Sequence, residues 1–574
     1  MPTLKGKDII AIMKKAHLAK FQKKTVTPNT VGQIIRPDSG YDGLSEVVIG
    51  SATLTAKKTV TPKTTAQTIN PDSGDIGLLG VVVKATPLTG KKTVTPGTNN
   101  QNIVPDSGDL GLTGVVVEGD ANLIAENIKE NVSIFGVIGN LKGAGEENKL
   151  NQYLNKTITE VTEEDLIGLK GIGYSAFEKC TSLTSVTIPD SVTSIGSNAF
   201  KNCTSLTSVT IPDSVTGIGS NAFGLCTSLT SVTIPDSVTN IGYSAFEKCT
   251  SLTSVTIPNT TRGIGVYIFS GCSGLTSIVV EKGNTKYHSS GNCLIETGTK
   301  TLISGCKTSV IPMDGSIVII EDEAFEGCTG LTSVTIPDSV TSIGDSAFFG
   351  CSGLTSVTIG NGVTSIGSNA FGLCTSLTSV TIPDSVTSIG DFAFEKCTSL
   401  TSVTIGNGVT SIAVGSFMNC TELTTINWNA TACTSAGSNT YPIFNNCSKL
   451  KEVNIGNNVT IIPSYAFYRC SGLTSITIPD SVTSIGENVF YYCTSLTSVT
   501  IGNGMTSIGD FAFYECQNLT SIILLPITPP TVGLNIFYGI SSSAVITVPK
   551  GTLDAYKSAT GWSNYSSKIV EATE

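Results

Sequence analysis

Over most of the chain the apolar positions return every 23 residues, in an order that suits neither one helix nor one ordinary strand. In the copy IGYSAFEKCTSLTSVTIPDSVTS, Ile172, Ala176 and Phe177 precede Cys180, and Leu183, Val186, Ile188, Val192 and Ile195 follow it. The segment LTSVTI sends Leu183, Val186 and Ile188 to one side and Ser185 and Thr187 to the other, the alternation of a short half-buried strand. Pro189-Asp190 ends it, because proline cannot donate to a sheet ladder and Asp favours a turn. Aligned on its phenylalanine, the unit recurs at Phe177, Phe200, Phe223, Phe246, Phe269, Phe325, Phe348, Phe371, Phe394, Phe417, Phe444, Phe467, Phe490, Phe513 and Phe537. Eleven of the fourteen intervals are 23 residues, which identifies the wide gaps after Phe269 and Phe417 as breaks in an otherwise regular array. A fixed period of this size predicts a solenoid, in which a coil too small to fold alone is stabilised by stacking on its neighbours.

The pattern changes outside this array. Residues 1–23 place Ile9, Ile10, Met13, His17, Leu18 and Phe21 at helical spacing opposite a lysine-rich face, predicting an amphipathic helix. Residues 24–119 hold three units of a second repeat, with KKTVTP at Lys23, Lys57 and Lys91 followed each time by PDSG; the period is 34 and the composition is that of short strands and turns. Residues 120–150 form a connector, expected as a helix from Asp120 to Asn131 and a strand from Ser133 to Ile138. The solenoid is expected over 151–523, with TITEV as its first strand and a hairpin insertion at 281–306, where CLIE and KTLIS flank TGT. Residues 524–574 leave the repeat and are expected to cap it.

Composition narrows the function. The net charge of −10 offers no basic footprint for nucleic acid, and no run of 18 apolar residues spans a membrane. The first 21 residues lack the continuous apolar stretch of a secretory leader, so export by that route is not expected. Fourteen of the seventeen cysteines sit three residues after the repeat phenylalanine, as a ladder of buried free thiols acting as small hydrophobes rather than as disulfides or zinc ligands. The two histidines, His17 and His288, fall in different domains with no nucleophile fixed beside them, and no GxSxG, Walker or HExxH motif occurs. No enzyme, cofactor or metal is expected.

What remains is a surface. Stacking aligns Ser185, Ser208 and Ser231, and beside them Thr187, Thr210, Thr233 and Thr256, then Thr335, Thr358, Thr381 and Thr404, then Thr477 and Thr500, a hydroxyl face suited to a saccharide or a protein strand. Perfect repeats cannot locate a ligand along the axis, so the breaks at Val279, Asn427 and Asn454 are where specificity would lie. Tyr287, His288 and the loop around Asn284 are expected as the best-exposed irregular feature. Ser438, Asn439 and Tyr441 lie on the loop enlarged by WNATACTSAGSNTYPIF, whose Trp428 takes an inward place.

The order IG..AF..C..L..V.IP..V..IG, held over some 350 residues, resembles the BspA-like leucine-rich repeats. The resemblance implies a right-handed leucine-rich-repeat solenoid used on surfaces for adhesion and recognition, without catalysis, with a similar hairpin unit and a closing segment in which Tyr556 and Trp562 pack on the open end. The TVTP, PDSG and GL..V.V units with the text up to residue 150 resemble stalk segments of bacteriophage tail proteins. That second resemblance implies a virion component assembled in the host cytoplasm, a homo-oligomer, as a trimer, attached to tail or baseplate proteins through residues 1–150. The first reading is thus a phage tail-fibre or receptor-binding protein whose solenoid recognises a host-surface glycan or protein. The alternative is a BspA-like adhesin on the cell surface of a bacterium or protist.

Overall fold

The computed structural model describes residues 156–573, together with the backbones of 33–35, 47–49, 133–134 and 137–138. Two compact units divide the chain, Met1–Leu123 and Ile124–Glu574. In the first, Gln33–Ile35 pairs antiparallel with Val47–Ile49, both within the first 34-residue unit. The expected helices at 1–23 and at Asp120–Asn131 lie outside the described residues. The strand expected from Ser133 to Ile138 is instead two: Ser133–Ile134 pairs antiparallel with Val137–Ile138, a reversal through a two-residue connection.

In the second unit, each 23-residue repeat makes one coil with three ladders to its neighbours. The face strand, Ser185–Thr187 in the copy quoted above, pairs in parallel with Ser208–Thr210, which pairs with Ser231–Thr233. Val186 and Val209 are buried on the inner side while Thr187 and Thr210 face solvent, as the alternation requires. A second parallel column, not foreseen from the sequence, runs through Ser194–Ile195, Gly217–Ile218, Asn240–Ile241 and Gly263–Ile264. The glycine after it permits the coils to touch: a Cβ on Gly219 would lie 2.4 Å from the Ser197 nitrogen. The third ladder joins the turns around Ala-Phe, where the Phe177 N–H donates to the Ala199 carbonyl and the Lys179 N–H to the Lys201 carbonyl, both at 2.7 Å. Two residues per coil here are left-handed, Ser175 (φ 53°) and Lys179 (φ 64°) in the first full coil, and the same places hold Phe392 and Tyr492 elsewhere. Side chains other than glycine resist this conformation by about 1–2 kcal/mol each; the hydrogen bonds to the next coil compensate.

Inside, the phenylalanines form a column with neighbouring rings nearly parallel, Phe348 to Phe371 at 5.0 Å and 3°. All seventeen cysteines are buried as free thiols. Their role is more than apolar: Cys203 Sγ donates to the Phe177 carbonyl one coil earlier at 3.1 Å, and Cys226 Sγ to Phe200 at 3.2 Å. Burial pushes the thiols of Cys226, Cys272 and Cys516 up to about 12.

The gap after Phe269 holds the expected hairpin, with a third strand. Tyr287–Ser290, Cys293–Glu296 and Thr301–Ser304 pair antiparallel, and the last then pairs in parallel with Ile319–Ile320 to resume the second column. Both faces of this sheet are buried. Leu294 and Ile303 belong to the core that starts at Ile158, whereas Cys293, Ile295 and Leu302 belong to the core that continues to Ile569. Successive strand residues point to opposite sides, so the insertion is a wall with a hydrophobic core on either face. At the far end, Leu553–Ser558 is a helix; Tyr556 and Trp562 are fully buried against the last coils, with Tyr556 Oη donating to the Pro526 carbonyl and Trp562 Nε1 to Pro530, both at 2.8 Å.

Candidate binding surface

Four threonine columns run along the coils, and the structure gives them different work; in that of Thr181, Thr204, Thr227 and Thr250, the Thr250 hydroxyl donates to the Thr227 carbonyl at 3.2 Å. In the column of Thr184, Thr207, Thr230 and Thr253, each hydroxyl donates to the carbonyl of its counterpart one coil earlier, as Thr207 does to Thr184 at 3.2 Å. The column of Thr193, Thr216 and Thr239 repeats this on another edge, Thr239 donating to Thr216 at 3.2 Å. The column of Thr187, Thr210, Thr233, Thr256, Thr335 and Thr358 is solvent-exposed, and none of its hydroxyls bonds within the chain among the described residues. Ser208 is exposed beside it and Ser185 half-buried. These hydroxyls stand in exact register across each sheet, Thr187 opposite Thr210 and Thr335 opposite Thr358, so the face offers a row of donors and acceptors at the inter-strand spacing, about 4.8 Å.

The departures from the repeat divide into exposed and committed. Val279 lies in register with Thr256 and is 45% exposed, an apolar interruption of the row. Asn427 and Asn454 stand opposite one another and use their amides locally: Asn427 Nδ2 donates to Thr404 Oγ1, and Asn454 Nδ2 donates to Asn427 Oδ1 and to Glu452 Oε1, each at 3.1 Å. The chain of amides braces the strands across the 27-residue interval, where Trp428 is buried between Ile405 and Ile455 as expected. Asn439 and Tyr441 are exposed on the enlarged loop, while the half-buried Ser438 accepts the Tyr441 N–H at 3.2 Å.

Tyr287 does not belong to the surface. It is 2% exposed, its ring lies in the first core, and its hydroxyl accepts the Ile264 N–H at 3.0 Å. The irregular sequence around it suggested a loop, but the segment is a strand of the wall, and its first side chain turns inward. His288, next along that strand, is half-buried with Nδ1 2.8 Å from Thr297 Oγ1. Asn284 shapes the preceding turn: its Nδ2 donates to the carbonyls of Pro258 and Thr261 while its Oδ1 accepts the N–H groups of Lys286 and Tyr287. Of the hairpin residues expected to meet a ligand, the structure therefore makes Tyr287 core and gives the others positions on its rim. Among the described residues no cluster of side chains suits a metal ion and no helix is long and apolar enough to cross a membrane.

Residues 170–292, 318–442 and 440–563 match the BspA type leucine rich repeat region family (6 copies). Comparison with curated proteins finds no match. Among solved structures, a leucine-rich repeat protein from Bacteroides ovatus is similar at 28% identity with a TM-score of 0.51, over 68% of this chain and 91% of that one. A leucine rich cell surface protein from Faecalibacterium prausnitzii is 32% identical over 50% of this chain and 89% of its own, with a TM-score of 0.37. A leucine-rich repeat protein from Eubacterium ventriosum is 27% identical over 54% and 83%, with a TM-score of 0.42. Such solenoids are typically binding scaffolds, and no enzymatic family is indicated. The repeat unit, its parallel ladders and the three family matches together make this chain a member of the BspA type leucine-rich repeat family.

Proposed function

We propose that the protein is a non-enzymatic adhesin of a cell surface, and that its solenoid recognises a glycan or protein through the solvent face of the long sheets. One observation carries this reading: the column of Thr187 lies on the exposed side of the face strands and its hydroxyls from Thr187 to Thr358 are unspent, while Thr404 further along accepts the Asn427 amide. Family membership supports it, because BspA-like proteins are typically displayed at the cell surface and serve adhesion or recognition. The sparing use of charge on the face favours partners bound by hydrogen bonds and apolar contact over ionic ones.

The phage tail reading rests on residues 1–150 alone, through their 34-residue units, and the family matches begin at residue 170. It stands as the second reading, on the resemblance of those units. Attachment to a virion, and association of copies through these residues, belong to that reading. Retention on immobilised bacterial cell-wall fractions tests the primary one. The full chain should be retained and a chain ending at residue 155 should wash through; equal retention of both would move recognition out of the solenoid.

A further inference from the structure

Near the C-terminal end of the sheet face, the residue that follows each face strand changes from coil to coil. Pro479, Gly502 and Leu525 take equivalent places, one after each of the registered residues Ile478, Ile501 and Leu524. Gly502 leaves a gap between two side chains. Its own position is forced by stacking, since a Cβ there would lie 2.5 Å from the Pro479 carbonyl carbon and 2.6 Å from the Asp480 nitrogen. The result is a depression of about 430 Å³ lined by Asn457, Thr477, Asp480, Ser481, Thr500 and Leu525. That volume falls within the range of small-ligand sites, about 300–1,000 Å³.

Its polar groups keep free hydrogen-bonding capacity. Thr477 and Thr500 continue the free hydroxyl column, and the Asn457 amide has no hydrogen bond within the described residues. Asp480 accepts the Asn503 N–H through Oδ1 at 2.8 Å, leaving Oδ2. At the same place four coils earlier, Asp384 has both oxygens occupied, Oδ1 by the Asn407 N–H and Oδ2 by its amide. Ser481 Oγ is buried without a partner, as is Ser191 Oγ at the equivalent place in the first full coil, whereas the equivalent Ser385 donates to the Val363 carbonyl at 2.7 Å. A carboxylate, an amide and the two threonine hydroxyls thus line the depression beside Leu525, which is 44% exposed. No cation lines the depression, so an anionic ligand would meet Asp480 unfavourably. A polyol ring fits every element: neighbouring hydroxyls donate to Asp480 and exchange hydrogen bonds with Asn457, Thr477 and Thr500, and a face of C–H groups lies on Leu525.

We propose that this depression binds one neutral pyranose ring of a surface glycan. The proposal rests on the reading of the solenoid as a recognition surface and names the ligand class for one point on it. Saturation-transfer NMR of the full chain with the methyl glycosides of glucose, galactose, mannose and N-acetylglucosamine tests it. Transfer to at least one is expected. The pair Thr477→Val and Thr500→Val keeps shape while deleting two hydroxyls, and affinity for that glycoside should fall about tenfold or more. The pair Thr187→Val and Thr210→Val, on the same column far from the depression, should leave it unchanged, and Leu525→Ala should weaken it without moving the unfolding midpoint. Absence of transfer from all four glycosides, or equal affinity in the two valine pairs, overturns the site. A full chain retained by cell walls together with an unaffected Thr477/Thr500 pair refutes the depression and leaves the recognition reading intact; a full chain that no fraction retains refutes the recognition reading itself.

Discussion

The wall between the two cores makes its sharpest demand at Gly305. A Cβ at that position would stand 2.0 Å from Phe325 Cε1 and 2.5 Å from Cζ, where carbon atoms settle at about 3.5–4.0 Å. Neither partner has room to retreat. Phe325 is fully buried and stacked on Phe348 at 4.8 Å, and the Gly305 N–H is tied to the Ala324 carbonyl at 2.8 Å. Gly305→Ala therefore needs a shift of about 1.5 Å in a packed ring or in the strand, and overpacking of this kind costs about 1–3 kcal/mol or more. Gly298 in the same hairpin supplies the control, because a Cβ there meets nothing within 4 Å and its backbone is not left-handed. Gly298→Ala is expected to be neutral or to stabilise by about 0.4–1 kcal/mol through the unfolded chain. Guanidinium unfolding followed by tryptophan fluorescence reports on the right part, since Trp428 and Trp562 both lie in the core that contains Phe325. Long repeat arrays can lose all-or-none unfolding, so the comparison is of midpoints between the two variants. The midpoint should fall for Gly305→Ala and hold or rise for Gly298→Ala; coincident midpoints would show that the hairpin does not close over the phenylalanine column.

Three further outcomes are expected. Burial, and then the hydrogen bond and charge of Glu326, push the Glu323 carboxyl from 4.5 up to about 7; its contribution to stability is complete below pH 4.5 and is lost as pH rises through 7, so the thermal midpoint should fall across that window, and Glu326→Gln should flatten the fall. The seventeen buried thiols should not react with Ellman's reagent in native buffer at pH 8 and should all react in guanidinium, because burial shields them all and keeps those of Cys226 and Cys272 protonated; rapid native titration of several would contradict the inward ladder. Trp428 Nε1 is buried without a partner while Trp562 Nε1 donates to Pro530, so Trp562→Phe should destabilise by about 1–3 kcal/mol more than Trp428→Phe in chemical denaturation, although both delete the same atoms.

The sequence displays the column positions plainly because a contact between coils is a contact between residues 23 apart. Phe177 beneath Phe200, Val186 beside Val209 and Thr187 beside Thr210 follow from the period alone. The second strand column at Ser194–Ile195 was less legible: two residues are too few for an alternation, and the ladder exists only once coils are stacked. The left-handed sites were hidden for a different reason. Glycine would have announced them, but Lys179, Leu225, Phe392 and Tyr492 occupy them, held by hydrogen bonds to the following coil. The inward turn of Tyr287 was concealed by the polar text around it, since KYHSS reads as loop until its pairing with Cys293–Glu296 gives it a buried side.

The candidate surface shows the limit of periodicity more clearly. Threonine recurs at four places in the unit, and by composition alone each is an equal candidate to meet a ligand. Coil stacking separates them, because a hydroxyl at the Thr184 or Thr193 position reaches the carbonyl 23 residues back and is consumed, whereas one in the middle of a face strand points away from every backbone group. A free hydroxyl repeated from coil to coil still cannot choose an address along the axis. The choice must come from residues that break the column, and here they act in opposite ways. Asn454 donates to Asn427, which donates to Thr404, and this chain closes its part of the face, while Gly502 and Leu525 open a depression beside two hydroxyls that are still unspent. A regular sheet thus supplies the donors and acceptors, and a missing side chain next to an added one decides where along it a ligand can settle.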